Sequence, residues 1–201
     1  MNKYQIAVVA LFFLAILVLP AKAQGSHEYA PIEEKTLNFK NFSLKNLNND
    51  KTTDLRQWMA DKKLVLVVYF AQWCPNWKNQ APFTAKLAEQ YGPKGLGIIA
   101  VSEYASADDV RKHFGDKGAL YTVVIESESR DDRDKTPHYE CRQATGDQRR
   151  WGSPYNVFLD PAAAAKDGEV LLQKAWVVNG ELIEEEAEKF VRERLEKLSA
   201  N

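Results

Sequence analysis

Residues 64–70 read LVLVVYF, seven apolar residues with no polar break. The run is rich in β-branched side chains, short for a helix, and offers no face to water. It predicts a strand buried on both sides of its sheet. Such a strand needs further layers above and below it, which commits the chain to a layered architecture. The next residues narrow the choice. Trp73-Cys74-Pro75 turns out of the strand, and residues 76–91 then carry helical spacing through Trp77, Phe83, Leu87 and Tyr91. Pro82 inside that stretch predicts a kink, because proline removes a backbone donor and crowds the preceding turn.

Leu96 to Val101 (LGIIAV) reads as a second buried strand, residues 106–114 as a helix with Ser106 at its N-cap, and Tyr121 to Ile125 as a third strand. Strand, helix and strand in this order require a right-handed crossover and a parallel core. Before them, residues 38–47 supply one short strand, and Thr53-Asp54 opens a short helix from Leu55. After them, residues 155–159 and 170–178 read as two strands. Residues 183–198 close the chain as an amphipathic helix with Ile183, Ala187, Phe190, Val191 and Leu195 on one face. Residues 126–150 are mostly charged or polar, hold His138 and Cys141, and show no sustained period. The fold class is therefore α/β, with a central mixed β-sheet flanked by helices on both faces.

The first residues read as a targeting element. Lys3 precedes an apolar run from Ile6 to Leu19, and Ala21-Lys22-Ala23 has the small-x-small pattern of a signal-peptidase site. Residues 1–23 are expected to be a signal peptide, 24–36 a polar leader, and 37–201 one domain with a polar insertion at about 126–150. The apolar run is shorter than the ~20 residues of a comfortable membrane span. Membrane attachment is expected only if this segment stays uncleaved, and the location is exported, either periplasmic or extracellular. Cleavage removes Lys3 and Lys22 and no acid, leaving 25 basic against 28 acidic residues and a net charge of −3. That balance gives no support for nucleic-acid binding. Both cysteines, Cys74 and Cys141, remain after cleavage, and in an exported protein a disulfide is chemically permitted.

The order of elements, with Trp-Cys at the strand-to-helix turn, resembles the thioredoxin superfamily and more narrowly its exported TlpA/ResA-type group. The active-site pattern of that group is W-C-x-x-C-x-x-E-x-P. Here it stands as Trp73-Cys74-Pro75-Asn76-Trp77-Lys78-Asn79-Gln80-Ala81-Pro82. Trp, the first Cys and Pro keep register, while Trp77 replaces Cys and Gln80 replaces Glu. Ile99-Ala100-Val101-Ser102 resembles the second core strand of the group, and residues 152–160 (GSPYNVFLD) resemble its cis-proline loop and following strand. The resemblance implies a thioredoxin-like fold and protein or peptide thiols and disulfides as partners.

It also implies roles for particular residues. Cys74 would stand at a helix N-terminus, where unpaired N–H groups favour the thiolate that attacks disulfides. A mixed disulfide must then be resolved by another thiol, and Trp77 cannot be that thiol. Either Cys141 or an external thiol must serve. In this fold the cis-proline loop faces the active-site cysteine, so an insertion entering that loop is able to bring Cys141 close. Pro154 is expected in the cis form, with Ser153 offering backbone groups to an extended substrate. Trp73 and Trp77 read either as packing or as an apolar rim that grips the partner.

Other chemistries fit less well. A peroxidatic cysteine of the peroxiredoxin kind wants threonine or serine three residues before it and proline seven before, where this chain has Ala71 and Val67. Copper delivery wants a second cysteine four residues on, where Lys78 stands. Cys74, Cys141 and His138 together are a conceivable soft-metal set, but no metal or cofactor is expected. Two readings stay open. One is a thiol-disulfide oxidoreductase lacking a complete CxxC. The other is a non-redox thioredoxin-like binding module with a structural Cys74–Cys141 disulfide.

Overall fold

The computed structural model describes residues 27–199, so the expected signal peptide at 1–23 lies outside the described residues. The uninterrupted apolar run forms β5 (Leu64–Phe70), with every residue buried. Parallel to it runs β6 (Leu96–Ser102), equally buried, and parallel to that β7 (Thr122–Ile125). Antiparallel to β5 on its other side lies β8 (Tyr155–Leu159), followed by β9 (Val170–Val178). The remaining strands are β1 (Tyr29–Ala30), β2 (Glu33–Lys40), β3 (Ser43–Asn46), β4 (Thr52–Asp54) and β10 (Glu181–Leu182). The eight-stranded sheet has the order β2-β9-β8-β5-β6-β7-β3-β4, while β1 and β10 pair separately in parallel. The sheet is mixed, as the sequence predicts.

Alternation along β5 divides the core, because successive side chains of a strand point to opposite faces. Leu64, Leu66, Val68 and Phe70 join one cluster. That face is covered by α2 (Pro75–Tyr91), α3 (Ala107–Phe114) and α5 (Glu184–Ser199), through Trp77, Leu87, Val110, Ala187 and Val191. Val65, Val67 and Tyr69 join the other cluster, which α1 (Leu55–Met59) covers with Leu55 and Met59. Asp54 caps α1 by accepting from the Gln57 N–H, and Ser106 caps α3 by accepting from the Asp109 N–H, both as expected from sequence. Pro82 is exposed and lies inside α2 without ending it.

Two expectations need correction. Residues 29–36 are not a loose leader, because β1 pairs with β10 and β2 forms the edge strand beside β9. Nor is 38–47 one strand. β2 ends at Lys40, and β3 belongs to the other side of the sheet beside β7. An edge strand needs only one buried face, and in β2 only Leu37 and Phe39 are buried among charged neighbours. The insertion is also partly ordered, holding α4 (Pro137–Ala144), which starts with Thr136 capping the Tyr139 N–H and Pro137 in the first turn.

Candidate functional site

Cys74 is the N-cap residue of α2, with φ −71° and ψ 127°, and Pro75 opens the helix behind it. The turn is fixed by backbone bonds from Cys74 N to Ala71 O (2.9 Å) and from Lys78 N to Cys74 O (3.1 Å). Across from it the Ser153–Pro154 peptide is cis. Ser153 holds the two segments together twice. Its Oγ accepts from the Ala71 N–H at 2.9 Å, and its carbonyl accepts from the Cys74 thiol at 3.1 Å. Cys74 is only 7 % exposed, yet it reaches the wall of a cleft of about 400 Å³. Trp73, Pro75, Asn76, Arg149, Arg150 and Trp151 form much of the remaining wall.

The loop carrying the cis-proline is braced from the insertion. Arg142 of α4 is buried, and its guanidinium donates to the carbonyls of Arg149 (2.6 Å) and Arg150 (3.3 Å). Its side chain lies against Gly152, which has φ +54°. A Cβ added there would meet the Arg142 side chain at 2.5 Å. Glycine is required here for both its left-handed backbone and its lack of a side chain. Arg149 adds a second brace, donating to the Pro154 carbonyl (2.9 Å) while paired with Asp147 (2.6 Å) and Glu28 (3.2 Å).

The aromatic residues divide between rim and core. Trp73 is part-buried at the cleft, with its ring 5.2 Å from that of Trp151 in an edge-on contact. Trp77 does not line the rim. It is 0 % exposed, packs against Phe70 and donates from Nε1 to His113 Nε2 at 3.1 Å. The inward side of the first helical turn is therefore filled by an indole. One turn further, Gln80 is buried and its amide pairs with Asn156 in both directions (2.8 and 3.1 Å), while its Oε1 also accepts from the Leu182 N–H. The position of an acid in the related motif is thus a neutral structural amide.

Cys141 does not join Cys74. Both thiols are free, and they lie in different environments. Cys141 packs against the cluster on the α1 side of the sheet, whereas Cys74 belongs to the cluster on the α2 side. The Cys141 Sγ lies 3.4 Å from the Tyr155 hydroxyl, and burial pushes its thiol up to about 11. The physical reason is the orientation of α4, which reaches the loop through Arg142. A Cys74–Cys141 disulfide is accordingly not formed.

His138 is buried on the same helix, stacked on Tyr69 at 4.6 Å and 3.3 Å from the Tyr104 hydroxyl. Burial and the nearby Arg142 and Arg149 hold it well below the usual histidine range. Among the described residues no three His, Cys, Asp or Glu side chains are grouped to hold a metal.

Near it lies a polar group that the sequence did not flag. Glu103 is fully buried and accepts from Ser127 Oγ at 2.6 Å, while its Oε1 and the Oε1 of the neighbouring Glu126 are buried without a hydrogen-bond partner. Burial first, and then the neighbouring Glu126 carboxylate, raise Glu103 well above the carboxylate range, and burial also raises Glu126. Two close buried carboxyls cannot both ionise cheaply, so the pair holds a proton. The backbone ties this group to the active-site turn, since Glu103 N donates to Phe70 O at 2.8 Å and Trp73 Nε1 to Tyr104 O at 3.4 Å.

Comparison with known proteins agrees with this geometry. The sequence model of the redoxin family matches residues 34–162, more than half of the chain. No curated protein matches the chain by sequence. Among solved structures, a putative thiol:disulfide interchange protein DsbE from Chlorobium tepidum superposes with a TM-score of 0.54 at 20% identity, over 85% of this chain and 99% of that one. A putative thioredoxin from Neisseria meningitidis gives 0.53 at 23% identity, over 83% and 95%. A DsbF homologue from Corynebacterium diphtheriae gives 0.53 at 16% identity, over 85% and 88%. These similarities establish a thioredoxin-like fold.

Proposed function

The chain belongs to the redoxin family, and on that premise we propose that it is an exported thiol-disulfide oxidoreductase with one working cysteine. Cys74 is the nucleophile, and an external thiol resolves its mixed disulfide. The observation that carries this reading is the placement of the Cys74 thiol at the N-terminus of α2, 3.1 Å from the carbonyl of the cis-proline loop and open to a cleft. The Ser153 backbone beside it offers an extended substrate strand a partner.

In the reaction the Cys74 thiolate attacks one sulfur of a substrate disulfide. A Cys74 mixed disulfide forms, and the other sulfur leaves as a thiolate. In a dithiol protein the second cysteine would break that bond within one helical turn. Here Trp77 fills the space, and Cys141 is packed against the other core cluster with its thiol raised, which argues against it as the resolving group. The mixed disulfide therefore persists until a thiol arrives from outside.

Incubation of the reduced protein with a small aromatic disulfide, followed by intact mass and peptide mapping, tests the reading. The expected result is one stable adduct on Cys74 that an added thiol releases. The adduct should disappear in Cys74→Ser and remain in Cys141→Ser. If the native protein forms no adduct on Cys74, a non-redox binding module, without the Cys74–Cys141 disulfide, stands instead.

A further inference from the structure

Arg150 lines the cleft beside Cys74, and two more arginines of the insertion stand over Trp73 and Trp151, the two tryptophans of its wall. The Arg130 guanidinium lies 4.1 Å from the centre of the Trp73 ring and 5.8 Å from that of Trp151. Arg133 and Arg150 lie over Trp151 at 5.7 and 5.1 Å. Cation–ring contacts of this kind hold a guanidinium in place while leaving its N–H edges free for an anion. Glu128, Asp131, Asp132 and Asp134 neighbour these arginines in sequence, but among the described residues none forms an ion pair with them. Glu28, which also lines the cleft, pairs with Arg149, which Asp147 binds as well, and Asp132 pairs with Lys135. None of Arg130, Arg133 or Arg150 has an ion-pair partner among the described residues. In addition, the Arg133 Nε is buried with no hydrogen-bond partner. The cleft is about 400 Å³, within the range that encloses a small molecule rather than a folded surface.

We infer that this cleft takes a small peptide thiol bearing carboxylates, and that such a thiol is both the group transferred to Cys74 and the reductant that removes it. The inference rests on the single-cysteine reading above and names its substrate class. The Cys74 thiolate attacks the small-thiol sulfur of a mixed disulfide between that thiol and a substrate protein. The old sulfur–sulfur bond breaks, the substrate sulfur leaves as a thiolate, and the small thiol is now bonded to Cys74. A second molecule of the small thiol, after losing its proton, attacks its twin's sulfur. This releases Cys74 as a thiolate and the small molecule as its symmetrical disulfide. The substrate thiolate takes up the proton that the second thiol gave up. The substrate's mixed disulfide has been reduced to its thiol, and one free small thiol has been consumed, joined to the transferred one in the symmetrical disulfide. The carboxylates of the small thiol lie against Arg130 and Arg150, and Trp73 and Trp151 cover its backbone.

The test compares three disulfide probes on the reduced full chain at low ionic strength: glutathione disulfide (anionic), bis(2-hydroxyethyl) disulfide (neutral) and cystamine (cationic). Adduct formation on Cys74 is followed by intact mass. Glutathione disulfide is expected to react roughly tenfold faster than cystamine, the scale of steering by a few exposed charges. That ratio should shrink as salt shortens the Debye length below ~10 Å. Arg130→Ala/Arg150→Ala should bring the ratio near one. Lys117→Ala/Lys189→Ala changes the net charge equally at exposed positions outside the cleft and should leave the ratio as it was. Equal rates for all three probes in the unaltered protein overturn the inference while leaving the single-cysteine reading intact. So does faster reaction of a long acidic peptide disulfide than of glutathione disulfide. Failure of every probe to modify Cys74 overturns the single-cysteine reading itself.

Discussion

Trp77 occupies the place where a resolving thiol stands in a dithiol motif, and it occupies it as core. The indole is 0 % exposed, packed on Phe70 and bonded to His113. Burial and the neighbouring Lys78 hold His113 below the usual histidine range, consistent with a neutral ring accepting that bond. Restoring the motif by Trp77→Cys therefore exchanges a large buried side chain for a small one. Truncations of buried aromatic side chains cost about 3–5 kcal/mol, and a loss of about 3 kcal/mol is expected in a urea titration of the reduced variant. A loss below ~1 kcal/mol would show that the indole contributes little packing. The sequence could say that Trp77 is no nucleophile. It could not say whether the ring faced the partner or the core, because both faces of the first turn of a helix near a cleft are plausible for tryptophan.

The helix of the insertion, α4, shows where pattern reading fails at the scale of an element. Its buried positions are His138 and Arg142, four residues apart on one face. A helical period was present, but polar side chains carried it, so an apolar count found nothing. The legible signal was local: Thr136 followed by Pro137, a cap and a first-turn proline. The strands β5 and β6 were readable because burial on both faces requires a nearly continuous apolar run, and β8 is such a run interrupted once, at Asn156, whose amide is satisfied by Gln80. β2 was hidden for the opposite reason. The role of α4 is to hold the cis-proline loop, through Arg142 to the carbonyls of Arg149 and Arg150. Arg142→Met keeps most of the apolar stem but leaves two carbonyls without their donor. With hydrogen bonds to a charged group at about 1.5–3 kcal/mol each, a loss of about 3 kcal/mol is expected by denaturant titration. Because the braced loop carries Ser153, alkylation of Cys74 should change rate by several-fold in the same variant. Gly152→Ala strikes the same contact from the other side, by crowding Arg142 and straining a left-handed backbone. It should disturb the loop similarly. An alkylation rate equal to that of the unaltered protein in both variants would show that α4 does not position the loop.

For the molecule as a whole, the buried Glu103–Glu126 pair couples stability to pH, because it lies where β6 and β7 end under the active-site turn. Both carboxyls are raised in the folded protein, so the native state holds a proton that the unfolded chain releases above the ordinary carboxylate value of 4.5. Their stabilising contribution is complete below that value and is lost as pH rises through the folded value. His138 has the opposite sign. It is held below 6.5 in the fold, so its contribution is present above 6.5 and is lost as pH falls through its folded value. Cys141, raised to about 11, adds a dependence of the same sign as the carboxyls, but only as pH approaches its ordinary value of 9. Between pH 7 and 8 the carboxyl pair is thus the exposed contributor. Each pH unit there should remove up to ~1.4 kcal/mol for a proton fully held by the folded state and absent from the unfolded chain. Glu103→Gln removes the more strongly raised of the two carboxyls, so its stability should fall less steeply over this interval. Urea midpoints at pH 7.0, 7.5 and 8.0 measure the difference directly. Parallel slopes for the two proteins would mean that the pair is already ionised at pH 7, with the charge of Arg142, which lowers Glu103, outweighing burial.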